Sequence, residues 1–342
     1  MKNIIFLLLI SAQLLNAQSL EDLHFGTDST FEVVSWNIEW FPKNGQVTAD
    51  SVKTIIQSLA ADVYALQEID DTTLLKQVVS TIPGYACHFK SSYYGGLAYV
   101  YNTNTVQVNK KYEIYTSQPF WNYFPRSPQV LELTFNNEDY VIIDNHLKCC
   151  GDGIIDLNDT SDEENRRLSA VNLLKTFIDS IFPNEKVIVV GDWNDILTDP
   201  APNNVFNSFL NDPDYLFIDF PIALGNSANF SYPSWPSHLD HILISDKLFA
   251  NFSKPNSELS CIKIDDYMSS WNAYDNNISD HRPVGLKLQV DAVVSNTLEL
   301  EPKGKNLIKV VDISGRETKY RNNTPLFYMY ENGSVEKKIV VE

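Results

Sequence analysis

The chain has 342 residues, of which 44% are hydrophobic, 12% aromatic and 20% charged, with 13 Gly and 16 Pro. This composition fits an ordinary folded protein with one large domain or about two, and excludes a disordered or collagen-like chain. The 26 Lys and Arg against 44 Asp and Glu leave a formal net charge of -18, so the chain has no overall basic footprint for a polyanion. Net charge governs solubility and encounter, whereas chemistry has to be read from local motifs.

At the N-terminus, Lys2 precedes the apolar run 4–10, extended by Leu14 and Leu15 and closed by the small Ala17. This grammar predicts a signal peptide over residues 1–17. The run is shorter than the roughly 20 residues that span a bilayer, so no stable membrane insertion is expected. Strands are predicted at 31–36, 63–67, 97–101, 130–135, 140–145, 186–190, 241–245 and 284–290. A helix is predicted over 50–61, with Val52, Ile55, Ile56 and Leu59 on one face. A second begins after Ser161 or Asp162 and carries Leu168, Val171, Leu174, Phe177 and Ile178 on one stripe. Strands outnumber helices and several are close enough for hairpins, which favours a mixed α/β sandwich with antiparallel pairs.

Between the predicted strand at 140–145 and the second helix, the segment 149–164 carries Asp152, Asp156, Asn158, Asp159, Asp162, Glu163 and Glu164. It suits either a solvated acidic loop or a structural Ca²⁺ site, although Ile154 breaks the EF-hand pattern. Four cysteines, Cys87, Cys149, Cys150 and Cys261, allow three pairings. The adjacent Cys149 and Cys150 leave open a strained bridge, a metal site or buried thiols, and without CxxC spacing zinc is not expected. After Val290 the texture changes. Residues 295–306 look like a linker, and short strands follow at 307–311, 325–330 and 338–341, with turn residues at Asn322-Asn323 and Asn332-Gly333. Residues 301–342 hold 8 Lys/Arg against 6 Asp/Glu, so the acidity belongs to the main domain.

The informative pattern is where the apolar runs stop. They end in Asn37, Glu68, Asp144-Asn145-His146 and Asp192-Trp193-Asn194, while Asp240-His241 and Asp280-His281 precede two others. In antiparallel pairing the start of one strand lies beside the end of its neighbour, so all six sets can meet on one rim. Carboxylates without a cysteine cluster favour a hard divalent ion, Mg²⁺ or Mn²⁺. There is no Gly-x-Ser-x-Gly elbow and no Walker A loop. A metal with imidazole and carboxamide suits water attack on a phosphodiester.

The ordered set VVSWNIEW, ALQE, IIDNHLK, VVGDWND, SHLDHILIS and ISDHRPVGL, over about residues 30–290, resembles the endonuclease/exonuclease/phosphatase family, the superfamily of DNase I. The resemblance implies an α/β fold, a four-layer α/β/β/α sandwich, with a metal-dependent phosphodiesterase or nuclease domain over 28–291. It implies Glu68 as principal metal ligand with Asn37 and Asp280 beside it, and Asp192 as the carboxylate that aligns or deprotonates water. Asn194 would hold the scissile phosphate. His281, oriented by Asp240, would act as base or as donor to a phosphoryl oxygen, with His146 a second histidine near phosphate and Asn145 orienting substrate. Arg126, in Pro125-Arg126-Ser127-Pro128, either contacts phosphate or begins a strand. The acid that pairs the second histidine in DNase I-like enzymes is missing from Tyr94-Gly95-Gly96. His238 and His241 are expected to pack or start turns.

The wording from Val310 to the C-terminus, including PLFYMY and KKIVVE, resembles the C-terminal sorting domain of type IX secretion cargo in Bacteroidetes, placed at 301–342. Together these readings describe a bacterial, secreted or cell-surface monomer. It would engage secretion machinery through its tail and act on nucleic acid, with Trp36, Trp40, Trp121, Trp193, Trp235 and Trp271 offered either as surfaces for stacking on bases or as core. A phosphomonoesterase or phospholipid hydrolase of the same fold is the alternative, and a non-catalytic binding protein the third reading.

Overall fold

The structure, a computed structural model, describes residues 18–90, 95–290, 306–312, 314–319, 325–331 and 335–338. The predicted signal segment, the linker up to residue 305, Tyr94 and the two tail turns lie outside the described residues. The chain divides into two compact units, residues 1–292 and 293–342.

In the first unit the strands are β1 (Thr30–Phe41), β2 (Val63–Ile69), β3 (Tyr85–Phe89), β4 (Gly96–Asn102), β5 (Val106–Glu113), β6 (Gln129–Phe135), β7 (Glu138–His146), β8 (Lys186–Asp192), β9 (Tyr215–Phe217), β10 (Asp240–Ser245), β11 (Glu258–Cys261) and β12 (Val284–Gln289). The main helices are α1 (Gln46–Leu59), α2 (Thr72–Ser80) and α3 (Glu163–Ile181). One sheet runs β11-β12-β1-β2-β4-β3 and the other β5-β6-β7-β8-β10-β9. Each contains one parallel pair, β1 with β2 and β7 with β8, and α1 and α3 are the crossovers that a parallel pair requires.

Three apolar layers hold these elements together. Val34, Trp36 and Leu66 pack toward α1. Val33, Val63, Ala65, Ile188, Val190 and Ile242 fill the space between the sheets. Val141, Ile143 and Val189 pack under α3 with Val171 and Leu174. Burying each such side chain contributes about 1.5–3 kcal/mol, and the order helix, sheet, sheet, helix is the expected four-layer sandwich.

The predicted helix starts meet different physics. Asp162 caps α3, its side chain accepting the Asn165 N–H at 2.7 Å. Helix α1 begins four residues before the expected Asp50, because Gly45, at φ 55°, turns the chain without a side-chain cap. In the second unit, β13 (Leu307–Val311), β14 (Leu326–Tyr330) and β15 (Val335–Lys338) form an antiparallel sheet in that order. Among the described residues no helix is long and apolar enough to cross a membrane.

Candidate active site

Strand alternation decides which polar side chains enter the cleft between the sheet ends. In β8, Ile188 and Val190 face the opposite sheet, and Asp192 is the next residue on that face. The same parity places Asp144 and His146 beyond Ile142 in β7, Asn37 beyond Val33 and Ser35 in β1, and Asp240 just before Ile242 in β10. Register then assembles them: Asp192 pairs with Asp240 across one ladder and with His146 across the other. Glu68 follows Leu66 by two and would turn toward α1. A register shift in β2 and φ of 62° at Glu68 bring it back to the cleft.

Asp240 Oδ2 accepts the His281 Nδ1–H at 2.7 Å, and His281 Nε2 lies 3.8 Å from Asp192 Oδ2 and 3.9 Å from Asp280 Oδ1. His146 Nε2 lies 3.4 Å from Asp192 Oδ2 and 3.8 Å from Glu68 Oε1. Burial alone would depress the His281 imidazole, but Asp240 and then Asp192 outweigh it and raise its pKa to about 10. Burial pushes Asp192 up to about 7, with His281 opposing the rise and Asp240 adding to it. His146 is held well below its ordinary value by burial, with Arg126 and His281 as unfavourable like charges. The cleft therefore contains one charged and one neutral imidazole.

Asn37 stands beside Glu68, where it was expected: its Oδ1 accepts the Glu39 N–H at 3.0 Å, while its Nδ2 donates to Asp192 Oδ2 at 3.0 Å and Glu68 Oε1 at 3.2 Å. It cross-links two carboxylates through its amide nitrogen. Asn145 was expected to touch substrate. Alternation turns it to the opposite face from His146, where it is fully buried and donates to the Val190 carbonyl at 2.8 Å. Its neighbour across the ladder is Gly191, where a Cβ would stand 1.8 Å from the Asn145 carbonyl oxygen.

The remaining positions cluster around the same cleft. Asn194, at φ 54°, gives its N–H to Asp192 Oδ1 and its Nδ2–H to the Leu147 carbonyl. The Asp280 N–H donates to Glu39 Oε2 at 2.8 Å, and Arg126 Nε donates to the Gly95 carbonyl at 3.2 Å, near His146. The cleft has a volume of about 520 Å³ and is lined by Glu68, Asp192, Asp280 and His281 together with aromatic side chains. A small hairpin closed by Tyr232 and Ser237 raises Trp235 to 77% exposure, and Trp40 is 48% exposed. The Tyr232 ring packs on His281 at 4.8 Å between centroids. Neither Tyr232 nor Glu39 stood out in the sequence. The signal for Glu39 was its place two residues after Asn37, and Tyr232 had none.

The donor set fits a hard divalent cation. Carboxylates dominate the cleft, and Asp240 Oδ1, fully buried, has no hydrogen-bond partner. Asp192, Asp240 and His281 bring ligand atoms within 4.8 Å of one another, as do Asp219, His238 and His241. In the second group His241 and Asp219 are already hydrogen-bonded, whereas His238 Nε2 is not. His241 donates to Asp219 at 2.6 Å and to the Asp195 carbonyl at 2.8 Å, Asp219 Oδ1 accepts the Ile242 N–H, and His238 Nε2 rests 3.1 Å from Asp219 without hydrogen-bond alignment. In the 149–164 segment, Asp152, Asp156, Asp159 and Asp162 each accept a backbone N–H two or three residues on. Among the described residues these carboxylates do not gather into a three-ligand group.

A sequence model described as "Endonuclease/Exonuclease/phosphatase family" matches residues 34–281. The chain belongs to the endonuclease/exonuclease/phosphatase family. Solved structures similar to this family member include D. rerio TDP2 complexed with single-strand DNA product, at 14% identity and a TM-score of 0.57, covering 77% of this chain and 100% of that one. The human Nocturnin catalytic domain with bound sulfate shares 17% identity at a TM-score of 0.52, covering 76% and 93%. An endonuclease/exonuclease/phosphatase protein from Bacteroides vulgatus shares 12% at 0.54, covering 77% and 100%. No curated protein matches in sequence. At these identities the solved structures share the fold of this family member.

Proposed function

We propose that this family member is a secreted phosphodiesterase dependent on a divalent metal, a nuclease that hydrolyses DNA or RNA. The observation that carries the reading is the convergence of Glu68, Asp192 and the Asp240-His281 pair on one rim. His281, kept charged by Asp240, donates from Nε2 to a non-bridging phosphate oxygen. Asp192, with a pKa near neutrality, takes the proton of the attacking water. Asn37 spaces the Asp192 and Glu68 carboxylates, and Asn194 offers phosphate the amide hydrogen not given to Leu147. His146, neutral, donates or accepts beside the phosphate without adding charge. Glu68 and Asp280 would hold the cation, Mg²⁺ or Mn²⁺, which when bound neutralises charge developing on phosphate oxygens.

Trp40 and Trp235 at the mouth favour a substrate with flat bases to stack on, and so favour nucleic acid over small phosphomonoesters. The signal segment and a type IX sorting tail would carry the protein, as a monomer, out of the cell.

The test offers the full chain supercoiled plasmid, single-stranded RNA, bis(p-nitrophenyl) phosphate and phosphatidylinositol vesicles, with Mg²⁺ or Mn²⁺ and with chelator. Nicking or RNA cleavage that chelator abolishes and Glu68→Ala loses is the expected result. Turnover of vesicles alone would replace the nuclease reading with a lipid hydrolase, and no turnover of any substrate would overturn the catalytic reading.

A further inference from the structure

Cys149 and Cys150 stand on the wall of the same cleft. Both are exposed, and Cys150 Sγ lies 3.0 Å from Cys149 Sγ, directing its S–H toward it. Lys148 Nζ sits 3.7 Å from Cys149 Sγ. The other two thiols are not alternatives for each other, since Cys87 is on β3 and Cys261 on β11, the opposite edges of one sheet. Cys150 already holds φ at 73°, a left-handed conformation that costs a non-glycine residue energy and marks a constrained turn.

We infer that Cys149 and Cys150 form a redox-modification site, closing to a vicinal disulfide by exchange with a low-molecular-weight disulfide and reshaping the catalytic cleft as they do. In the first step the Cys149 thiol gives its proton to solvent and its thiolate attacks one sulfur of the external disulfide. A mixed disulfide forms and one external thiol leaves. Cys150 then gives its proton to solvent, its thiolate attacks Cys149 Sγ, the mixed disulfide breaks, and the second external thiolate leaves and takes a proton from solvent. The protein pair is oxidised by two electrons and the external disulfide is reduced to two thiols.

The bridge is suited to switching rather than to stapling. Adjacent Cα atoms are about 3.8 Å apart across a trans peptide, below the about 4.4–6.8 Å that a relaxed disulfide spans. Strained, exposed bridges are the labile ones.

The ring has a path to the site. Arg167 Nη1 donates to the carbonyls of Lys148 and Cys150 at 2.8 and 2.7 Å, while its Nε donates to Asp195 Oδ2 at 2.8 Å. The Leu147 N–H donates to the Asp192 carbonyl at 3.0 Å, and Asn194 Nδ2 donates to the Leu147 carbonyl at 3.2 Å. Twisting the 149–150 peptide therefore pulls on both the Asp192-Asn194 turn and its guanidinium anchor.

The experiment equilibrates the full chain in glutathione buffers of rising oxidised fraction, alkylates free thiols and maps peptides by mass. The expected result is loss of two hydrogens confined to the peptide holding Cys149 and Cys150, reversed by reductant. Hydrolysis of bis(p-nitrophenyl) phosphate changes with it by roughly fivefold, the size of a weak coupling between neighbouring sites. The Cys149→Ala/Cys150→Ala variant loses the redox response. Thiols that stay alkylatable at every poise, bridges to Cys87 or Cys261, or a bridge that forms while turnover stays constant would each overturn the proposal. The mapping arm is independent of the nuclease reading, so a protein that bridges but hydrolyses no phosphodiester identifies that reading as the one that failed.

Discussion

Asp240 sets the charge of His281 from a fully buried position, with its second oxygen left without a partner. Asp240→Asn removes the negative charge that outweighs burial, so the His281 pKa falls from about 10. Turnover should drop by about 10²-fold, with the pH profile moving to lower pH. His281→Ala should cost about 10²–10⁴-fold in kcat, the usual range for a positioned acid or base. Steady-state kinetics on plasmid and on bis(p-nitrophenyl) phosphate separate these outcomes from a folding defect if melting curves are run in parallel. Trp235→Ala should raise KM for single-stranded substrate by roughly tenfold, since stacking contributes about 1–3 kcal/mol per base, while KM for the small diester hardly changes. At this scale the ligand-type residues were legible as the ends of apolar runs, because a strand that leaves the core must change chemistry abruptly. What could not be read was direction. Asn145 and His146 are adjacent and equally polar, and only the alternation fixed by Tyr140 and Ile142 tells which one enters the cleft.

The β8 turn shows how tightly an element constrains the site. Gly191, at φ 143°, faces the Asn145 carbonyl so closely that a methyl group cannot be accommodated without moving β7 or β8. Gly191→Ala should destabilise the fold by roughly 3–5 kcal/mol and separate His146 from Asp192, which a thermal melt and loss of activity would register together. Legibility also divides by element. The strands that the sequence does not announce, β3, β5, β9 and β11, are the four edges of the two sheets. Edge strands have a ladder on one side only and half-exposed faces, so β5 reads VQVNKKYE and offers no apolar run. Central strands, covered on both faces, were plain for the opposite reason. Helix α2 was missed because its nine residues bury only Leu75, Val78 and Val79, too few to establish a period.

Across the whole molecule, acidity is managed at both ends of the sandwich. Opposite the cleft, at the start of β1, Glu32 and Asp62 are buried together, the Glu32 N–H donating to Asp62 at 3.0 Å. Burial pushes Glu32 up to about 8 and raises Asp62 as well. Unfolded, both titrate near about pH 4, so the folded state binds the proton more tightly and this contribution to stability is full at low pH and lost as pH rises toward 8. The melting temperature should fall as pH rises from about 5 to about 8 and level off above it, with stability declining by roughly 1 kcal/mol per pH unit across that window, and Glu32→Gln should remove most of that decline. The other end carries the chemistry, and there the polar rim continues the very face that forms the sheet-to-sheet core. Ser35 lies one strand step beneath Asn37, Ala65 beneath Gln67, Val190 beneath Asp192 and Ile242 beneath Asp240, all buried. The floor of the cleft is thus built from core side chains, and substitutions that never meet solvent can retune the spacing of its carboxylates from below.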